Sequence, residues 1–333
     1  MSAASPLLWG AEQIWQSLLP LLPGISVEVL ARVESTNTRL IERARAFSGD
    51  RDGPVTRPGD LDGLAADPRQ AQRSAHGRRQ GDIQPCLLVA EDQTRGRGRM
   101  GRDWVSRPGQ SLTFSLALPL APAQWGGLSL AVGLALAEAL DPRPPGQGLL
   151  GPADGRPRIG LKWPNDLWLL DSSQAAVGSR PRLGRKLGGI LIETVSVGQQ
   201  RMCVVGVGLN IGAPGSEAHP TRPAYEGLVH GYASLQELEP AISAPLALAR
   251  VAVPLAQALL RFERQGFGPL VAAFLQRDLL RGHAVSTSAP ELLEGVAHGV
   301  DEQGALLMRV GQGDHAAVRR VFSGEASVRL SAD

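Results

Sequence analysis

The sequence predicts an α+β protein, with a large domain over residues 1–281 and a small all-β module over residues 282–333. Three observations lead there. Apolar runs of strand length (Leu87–Glu91, Ser111–Leu118, Lys186–Glu193, Met202–Ile211) are interspersed with longer helical patterns at Gln124–Leu140 and Ser243–Arg264. After Gly282 the pattern changes to five short strand-like segments, as in a small barrel or sandwich. Hydrophobic residues make up 43% of the chain, enough to bury a core at this length.

Composition narrows the function classes. A net charge of +2 argues against a general nucleic-acid binder, and 4% aromatic residues leave little for base stacking. Cys86 and Cys203 fit no metal-ligand spacing and sit in apolar strand-like runs, which suits reduced core residues in the cytoplasm. No signal peptide opens the chain, and no uninterrupted apolar run reaches the ~18 residues of a membrane span. The expectation is a soluble cytoplasmic protein that binds neither DNA nor membrane.

Residues 1–33 hold short apolar patches broken by Pro20, Pro23 and Gly24, too broken for an independent helix-turn-helix domain. Ser35 then suits the N-cap of a helix that turns Leu40, Ile41 and Ala44 inward. Ser35, Thr36 and Asn37 either cap that helix or form a hydrogen-bonding pocket at its N-terminus. Residues 47–83 are almost without apolar side chains and read as a long mobile insertion. The strand Leu87–Glu91 leads into Arg95–Arg102, R-G-R-G-R-M-G-R. Glycines there expose backbone N–H groups, and the arginines add forked, permanently charged donors, so the loop reads as an anion clamp.

A turn at Asp103–Gln110 precedes the strand Ser111–Leu118 and the buried helix Gln124–Leu140. Loop-like insertions are expected near 141–158 and 171–185. Between them, Lys162 lies in a strand-like apolar run, where an ammonium either snorkels to water or faces a bound anion. Trp163–Asp166 has the residue types of a tight turn. Lys186–Glu193 and Met202–Ile211 read as paired strands, with glycines where another group approaches closely. Ser243–Arg264 is helical, with Pro254 either kinking it or starting a new helix, and Phe267–Leu280 reads as a further amphipathic helix. The phosphate-binding G-x-x-x-x-G-K-[ST] loop, H-E-x-x-H, G-x-S-x-G and Cys/His zinc spacings are absent.

Taken in order, several motifs resemble those of the biotin protein ligases, the biotin–[acetyl-CoA-carboxylase] ligases. They are S-T-N at Ser35–Asn37, E-D-Q-T-R-G-R-G-R at Glu91–Arg99, Trp104 and K-W-P-N-D at Lys162–Asp166. K-L-G-G-I-L-I-E at Lys186–Glu193, G-V-G-L-N at Gly206–Asn210 and G-E-A-S-V-R-L at Gly324–Leu330 complete the set. The resemblance implies a mixed β-sheet catalytic domain with helices, similar to the class II aminoacyl-tRNA synthetase core, and an SH3-like C-terminal barrel. It implies the chemistry as well. Biotin's carboxylate attacks the α-phosphate of ATP, giving biotinyl-5′-AMP and pyrophosphate. A lysine ε-amine of a biotin carboxyl carrier domain then displaces AMP.

By the same resemblance, Arg99 and Lys162 act at the reacting centre. Ser35, Thr36, Asn37, Gln93, Arg97, Gly98, Arg99, Lys162 and Gly188 contact biotin, and Arg97, Trp104, Asn165 and Asn210 contact the nucleotide. Mg²⁺ accompanies ATP, although no acidic cluster marks its ligands. The Arg95–Arg102 loop is expected to fold over the ligand and exclude water. Monomer and homodimer both stand open.

The chain departs from the family pattern in three places. Arg95 occupies a position where many relatives have a small residue, the 47–83 insertion separates two halves of the site, and no winged-helix domain precedes the motifs. Transcriptional repression is therefore not expected. Two other classes of reading stand against the biotin ligase: a lipoate-protein ligase with the same fold and adenylate chemistry, and a non-catalytic biotin sensor or nucleic-acid-binding protein.

Overall fold

Strand-length segments with β-branched and leucine-rich faces assemble into one seven-stranded sheet in the computed structural model, which describes residues 7–49, 83–144, 157–170, 184–213, 231–288, 294–311, 316–322 and 328–330. Its strands are β1 (Ser26–Val33), β2 (Cys86–Gln93), β5 (Ser111–Pro119), β6 (Arg158–Lys162), β7 (Asp166–Leu170), β8 (Arg185–Val197) and β9 (Gln200–Asn210). The spatial order is β1-β2-β5-β9-β8-β7-β6. Only β1 and β2 run parallel and the other pairings are antiparallel, so the sheet is mixed. Strand β1 is a correction, since the sequence reading left residues 1–33 without a strand. Helix α1 (Ala11–Leu18) precedes it. Apart from their ends, the insertions expected at 47–83, 141–158 and 171–185 lie outside the described residues.

The two faces of the sheet differ. One carries Leu112, Phe114, Leu116, Val205, Val207 and Leu209, all buried beneath α3 (Leu128–Leu140) and α4 (Ala244–Gln265). Helix α3 starts four residues later than expected because Gly127 at φ 80° sets its entry, and a Cβ there would stand 2.5 Å from Phe267 Cγ. The other face carries α2 (Thr36–Gly49), whose Leu40, Ile41 and Ala44 pack on Leu88, Ala117 and Val204. Cys86 and Cys203 are buried free thiols, and burial is the main cause that pushes them up to about 11 and about 12 respectively.

Helix α4 is continuous through Pro254. Among the described residues it is long and apolar enough to cross a membrane by length and composition, a property the sequence reading denied to the chain. Arg250 interrupts its apolar run, and its Leu248, Val251, Leu255, Leu259 and Phe262 are buried in the core.

The helix expected over Phe267–Leu280 is a second correction. Only a 3₁₀ turn and the short helix α5 (Val271–Leu275) form. The chain then leaves helical geometry to run beside β6, where Leu161 N donates to Arg277 O (2.7 Å) and Leu279 N to Leu161 O (3.0 Å). Satisfying the edge of β6 outweighs the amphipathic pattern.

The C-terminal strands are β10 (Ala284–Thr287), β11 (Glu294–Val300), β12 (Leu306–Val310), β13 (Ala317–Val321) and β14 (Val328–Leu330). They form one antiparallel sheet in the order β13-β12-β11-β10-β14. Its Val285, Ala297, Leu306 and Met308 belong to the same buried cluster as the large sheet. Trp163 Nε1 donates to Gly304 O at 3.0 Å, a further tie between the two sheets.

Candidate active site

Side chains alternate along a strand, so pairing across the sheet aligns residues of one face in rows. On the α2 face one row reads Ala90, Thr113, Gly208, Gly189, Asp166, Lys162. The adjacent row reads Leu88, Ser115, Gly206, Leu191. Small residues in mid-sheet leave a trough, and charged residues close one end of it. The three steps from Gly208 to Lys162 span about 14 Å at ordinary strand spacing.

At the other end stands a buried polar cluster. Ser35, at the start of α2, accepts from Thr38 N (3.4 Å), so it does cap the helix. Gln93 Oε1 accepts from Thr36 N at 2.8 Å and from the Thr36 hydroxyl at 3.1 Å. Ser115 Oγ lies 2.6 Å from both Thr36 Oγ1 and Asn37 Oδ1. Asn37 Nδ2 donates to Glu193 Oε2 (2.9 Å) and Leu191 O (3.2 Å). Gly206 makes room for this amide, since a Cβ there would stand 2.3 Å from Asn37 Oδ1. Ser35, Thr36, Asn37, Gln93 and Ser115 are all buried, which makes their mutual pairing obligatory.

The arginine–glycine loop hangs over the trough as an ordered hairpin, with β3 (Gly96–Arg97) paired to β4 (Asp103–Trp104). Gly98 N donates to Arg102 O at 2.7 Å, and a 3₁₀ turn spans Arg99–Gly101. Arg97 pairs with Glu193 at 3.0 Å and also donates to Thr38 Oγ1 at 3.3 Å. Arg95 is largely exposed and lies beside Glu34, at 3.7 Å. A cleft of about 310 Å³ opens between this loop and the start of α2, lined by Ser35, Thr38, Arg95, Gly96, Arg97 and Asp103 among others. The Trp104 indole lies on Gly208, where a Cβ would come within 2.3 Å of Cε2. Its Nε1 is buried with no hydrogen-bond partner among the described residues.

The charged end gathers four groups. Lys162 Nζ sits 5.0 Å from the centroid of the Trp168 ring. Lys186 Nζ pairs with Asp166 Oδ1 at 2.8 Å, both side chains being mostly buried. Arg99 donates to Asn165 Oδ1 at 3.3 Å, and Asn165 Nδ2 donates to Ile190 O at 2.8 Å. Burial pulls the Arg99 guanidinium below the ordinary arginine range, while the Asp166 charge opposes that shift and Arg102 adds to it. Lys186 thus pairs with Asp166 and the Arg99 guanidinium feels the same carboxylate, with Lys162 opposite it in register, a setting whose cations suit an anionic ligand. Among the described residues no group of three or more His, Cys, Asp or Glu side chains gathers to hold a metal ion.

The expected site residues therefore fall into two clusters, with Trp104 between them. Two do not join. Gly188 belongs to the opposite face, where a Cβ would stand 2.5 Å from Leu209 Cδ2, and the site-facing glycine is Gly189. Asn210 spends its amide nitrogen on Lys186 O (3.2 Å) and Ala233 O (3.1 Å), tying β9 to its neighbours. Sequence reasoning missed Ser115, Asp166, Lys186, Glu193, Gly206 and Gly208 as functional residues. Ser111, Thr113 and Ser115 at alternate positions of a buried strand were the available signal for a polar face.

Residues 75–210 match the biotin/lipoate A/B protein ligase family. The bifunctional ligase/repressor BirA of Salmonella typhimurium is 31% identical over 246 residues, spanning 72% of this chain and 66% of that protein. A biotin–[acetyl-CoA-carboxylase] ligase of Mycobacterium tuberculosis is 31% identical over 241 residues, spanning 69% of this chain and 75% of that one. The biotin protein ligase of Aquifex aeolicus, solved with biotin and ATP, shares the fold with a TM-score of 0.59. At 23% identity, that alignment covers 92% of this chain and 99% of the other. From the identity and coverage of these relatives, the chain belongs to the biotin/lipoate A/B protein ligase family.

Proposed function

We infer that the protein is a biotin protein ligase, joining biotin to a lysine of a biotin carboxyl carrier domain of acetyl-CoA carboxylase by way of biotinyl-5′-AMP. One observation carries the reading. A trough of small residues has a buried hydrogen-bonding cluster at one end and Arg99 and Lys162 at the other. That layout suits a molecule with a polar ring head, an apolar tail and a terminal carboxylate.

The head lies by Ser35, Thr36, Asn37 and Gln93, whose donors and acceptors replace its water. The tail passes over Gly189, beside the Asn37 amide on Gly206 and the Trp104 indole on Gly208, and the carboxylate reaches Lys162. Attack on the α-phosphate of ATP requires two anions to approach, and Arg99 and Lys162 offset their repulsion in a site roofed by the arginine–glycine loop. Arg97 and Gly98 close over the biotin tail. The Trp104 indole, lying on Gly208, supports a nucleotide position beside it, with Asn165 toward the charged end. Mg²⁺ enters with ATP, held by phosphate oxygens and water, so the protein supplies cations rather than a carboxylate cage.

In the second step the carrier's ε-amine attacks the mixed anhydride and AMP leaves with the electron pair. The large domain is read as the class II aminoacyl-tRNA synthetase-like core and the C-terminal sheet as an SH3-like barrel. The lipoate ligases are the alternative acyl-adenylate reading within the same family.

The deciding experiment is transfer of biotin to a purified carrier domain with ATP and Mg²⁺, comparing wild type with Lys162→Ala. A fall on the order of 10² or more is expected. Transfer that survives the substitution removes Lys162 from the reacting centre, and transfer of lipoate in place of biotin overturns the substrate.

A further inference from the structure

We propose that Trp163 is a positioning residue for the reacting centre: its indole, bonded to the C-terminal sheet, fixes the strand end that presents Lys162. The inference rests on the biotin-ligase reading above. Strand β6 is the last of the seven-stranded sheet, and Lys162 is its final residue. Alternation sends Lys162 to the trough face and its neighbours Leu161 and Trp163 into the helix-covered core. Trp163 is 1% exposed, so the strand end cannot shift without dragging a large ring through packed side chains. Its Nε1 donates to Gly304 O at 3.0 Å, which sets the ring's depth and rotation.

The acceptor is itself held in place. Asp301 Oδ1 accepts from Gln303 N (2.9 Å) and Ala305 N (3.0 Å), and Gly304 N donates to Asp301 O (2.9 Å). Gly304, at φ 71°, lies against the start of α3, where a Cβ would stand 2.4 Å from Gly127 Cα. The far side of the turn after Trp163 has other supports. Ser129 Oγ donates to Pro164 O at 2.8 Å, Ile190 N to Asn165 O at 3.0 Å, and Asn165 Nδ2 to Ile190 O at 2.8 Å. Asp166 is paired in register with Gly189 and bonded to Lys186. Loss of the indole bond therefore falls on Lys162, one residue away, before it reaches Asn165 or Asp166. A misplaced cation at the reacting anions costs rate more than it costs binding of the distant ring head.

Trp163→Phe keeps an aromatic ring and removes the N–H. Lys162 and Lys186 are the chain's only lysines. Amine acetylation followed by peptide mass spectrometry thus reads Lys162 against an internal standard, with no substrate present. Biotin-dependent exchange of pyrophosphate into ATP reads the first half-reaction. Both are run where circular dichroism shows the proteins folded. Loss of one hydrogen bond makes local opening roughly two- to tenfold more frequent, and the Lys162-to-Lys186 labelling ratio rises by that factor. The kcat for exchange falls about ten- to a hundredfold, with a smaller change in the KM for biotin. In a Lys162→Ala background the same substitution lowers kcat far less, because its effect passes through Lys162. An unchanged labelling ratio overturns the proposal. So does an equal proportional fall in kcat in both backgrounds, since Trp163 then serves the fold alone. If wild type catalyses no exchange, the ligase reading fails and the labelling ratio by itself decides whether Trp163 places Lys162. Should Trp163→Phe not fold, Asp301→Ala, which loosens the turn carrying Gly304, is judged by the same readouts.

Discussion

If the row Thr113, Gly208, Gly189, Asp166 is the floor on which the ligand lies, adding one methyl to that floor should separate binding from folding. Gly189→Ala is the clean perturbation. Its Cβ would stand 3.5 Å from Asp166 Oδ1 and 3.6 Å from Lys186 Nζ, ordinary contact distances that require no rearrangement. Loss of glycine's unfolded-state freedom makes the change neutral or stabilising by up to about 1 kcal/mol. A ligand packed on the strand must instead rise or tilt, at a cost of about 1–3 kcal/mol, or about tenfold to a hundredfold in affinity. Gly206→Ala provides the contrast. A Cβ 2.3 Å from Asn37 Oδ1 must expel that amide, and the bonds to Ser115, Leu191 and Glu193 go with it. Crowding and newly unpaired buried groups together cost about 2–4 kcal/mol of stability. Urea unfolding and biotin titration of both variants provide the assay. Wild-type affinity in Gly189→Ala refutes the placement of the ligand, and wild-type stability in Gly206→Ala refutes the buried network.

Other expectations concern stability. Asp278 is buried with Oδ2 unpartnered, and burial is the main cause that raises its carboxyl to about 6. The raised value favours the folded state below the unfolded value near 4, and that contribution is lost as pH rises through about 6. Asp278→Asn should therefore remove a slope of up to about 3 kcal/mol between pH 4 and 7 from the stability–pH profile, and an unchanged slope counts against this account. Asp141 Oδ2 accepts from Arg143 Nη2 (2.8 Å), Arg277 Nη1 (3.2 Å) and Ile159 N (3.0 Å), all nearly out of solvent. Asp141→Asn takes from two buried guanidiniums the carboxylate they both touch and should lower unfolding free energy by about 3–5 kcal/mol in denaturant titration.

What the sequence disclosed depended on whether local pattern or tertiary pairing decides the element. Strands β5, β8 and β9 are apolar runs bounded by turn residues, so their existence was legible. Strand β1 alternates as S-V-E-V-L-A-R-V, but the prolines and glycine just before it mask the start. The helical period continues past Leu275 in sequence, yet Arg277 and Leu279 bond to Leu161, a partner over 100 positions away in the chain. The site was legible as motifs and illegible as faces. Between Leu167 and Trp168 the pairing with β8 slips, so that Lys186 rather than Leu187 lies opposite Trp168. That one-residue irregularity brings Lys186 onto the site face, and no spacing rule in the sequence announces it.

The sheet also explains how a floor of glycine, serine and threonine is tolerated in its centre. Thr113, Ser115, Gly206, Gly208 and Gly189 contribute little apolar burial on their own face. Their immediate neighbours Leu112, Phe114, Leu116, Val205, Val207 and Leu209 point the other way and are almost wholly buried. Each such side chain is worth about 1.5–3 kcal/mol when fully removed from water, so the helix-covered face holds the central strands together without help from the trough. Because alternate residues of one strand serve the two tasks, substitutions at alternate positions should act on different quantities. Changes at 112, 114, 205 and 207 act on folding and a change at 189 on ligand affinity, whereas a side chain at 208 would displace the Trp104 indole and a change at 113 would break the Thr113–Ala90 bond. Positions 115 and 206 affect both, since the Asn37 cluster connects the polar trough to the start of α2.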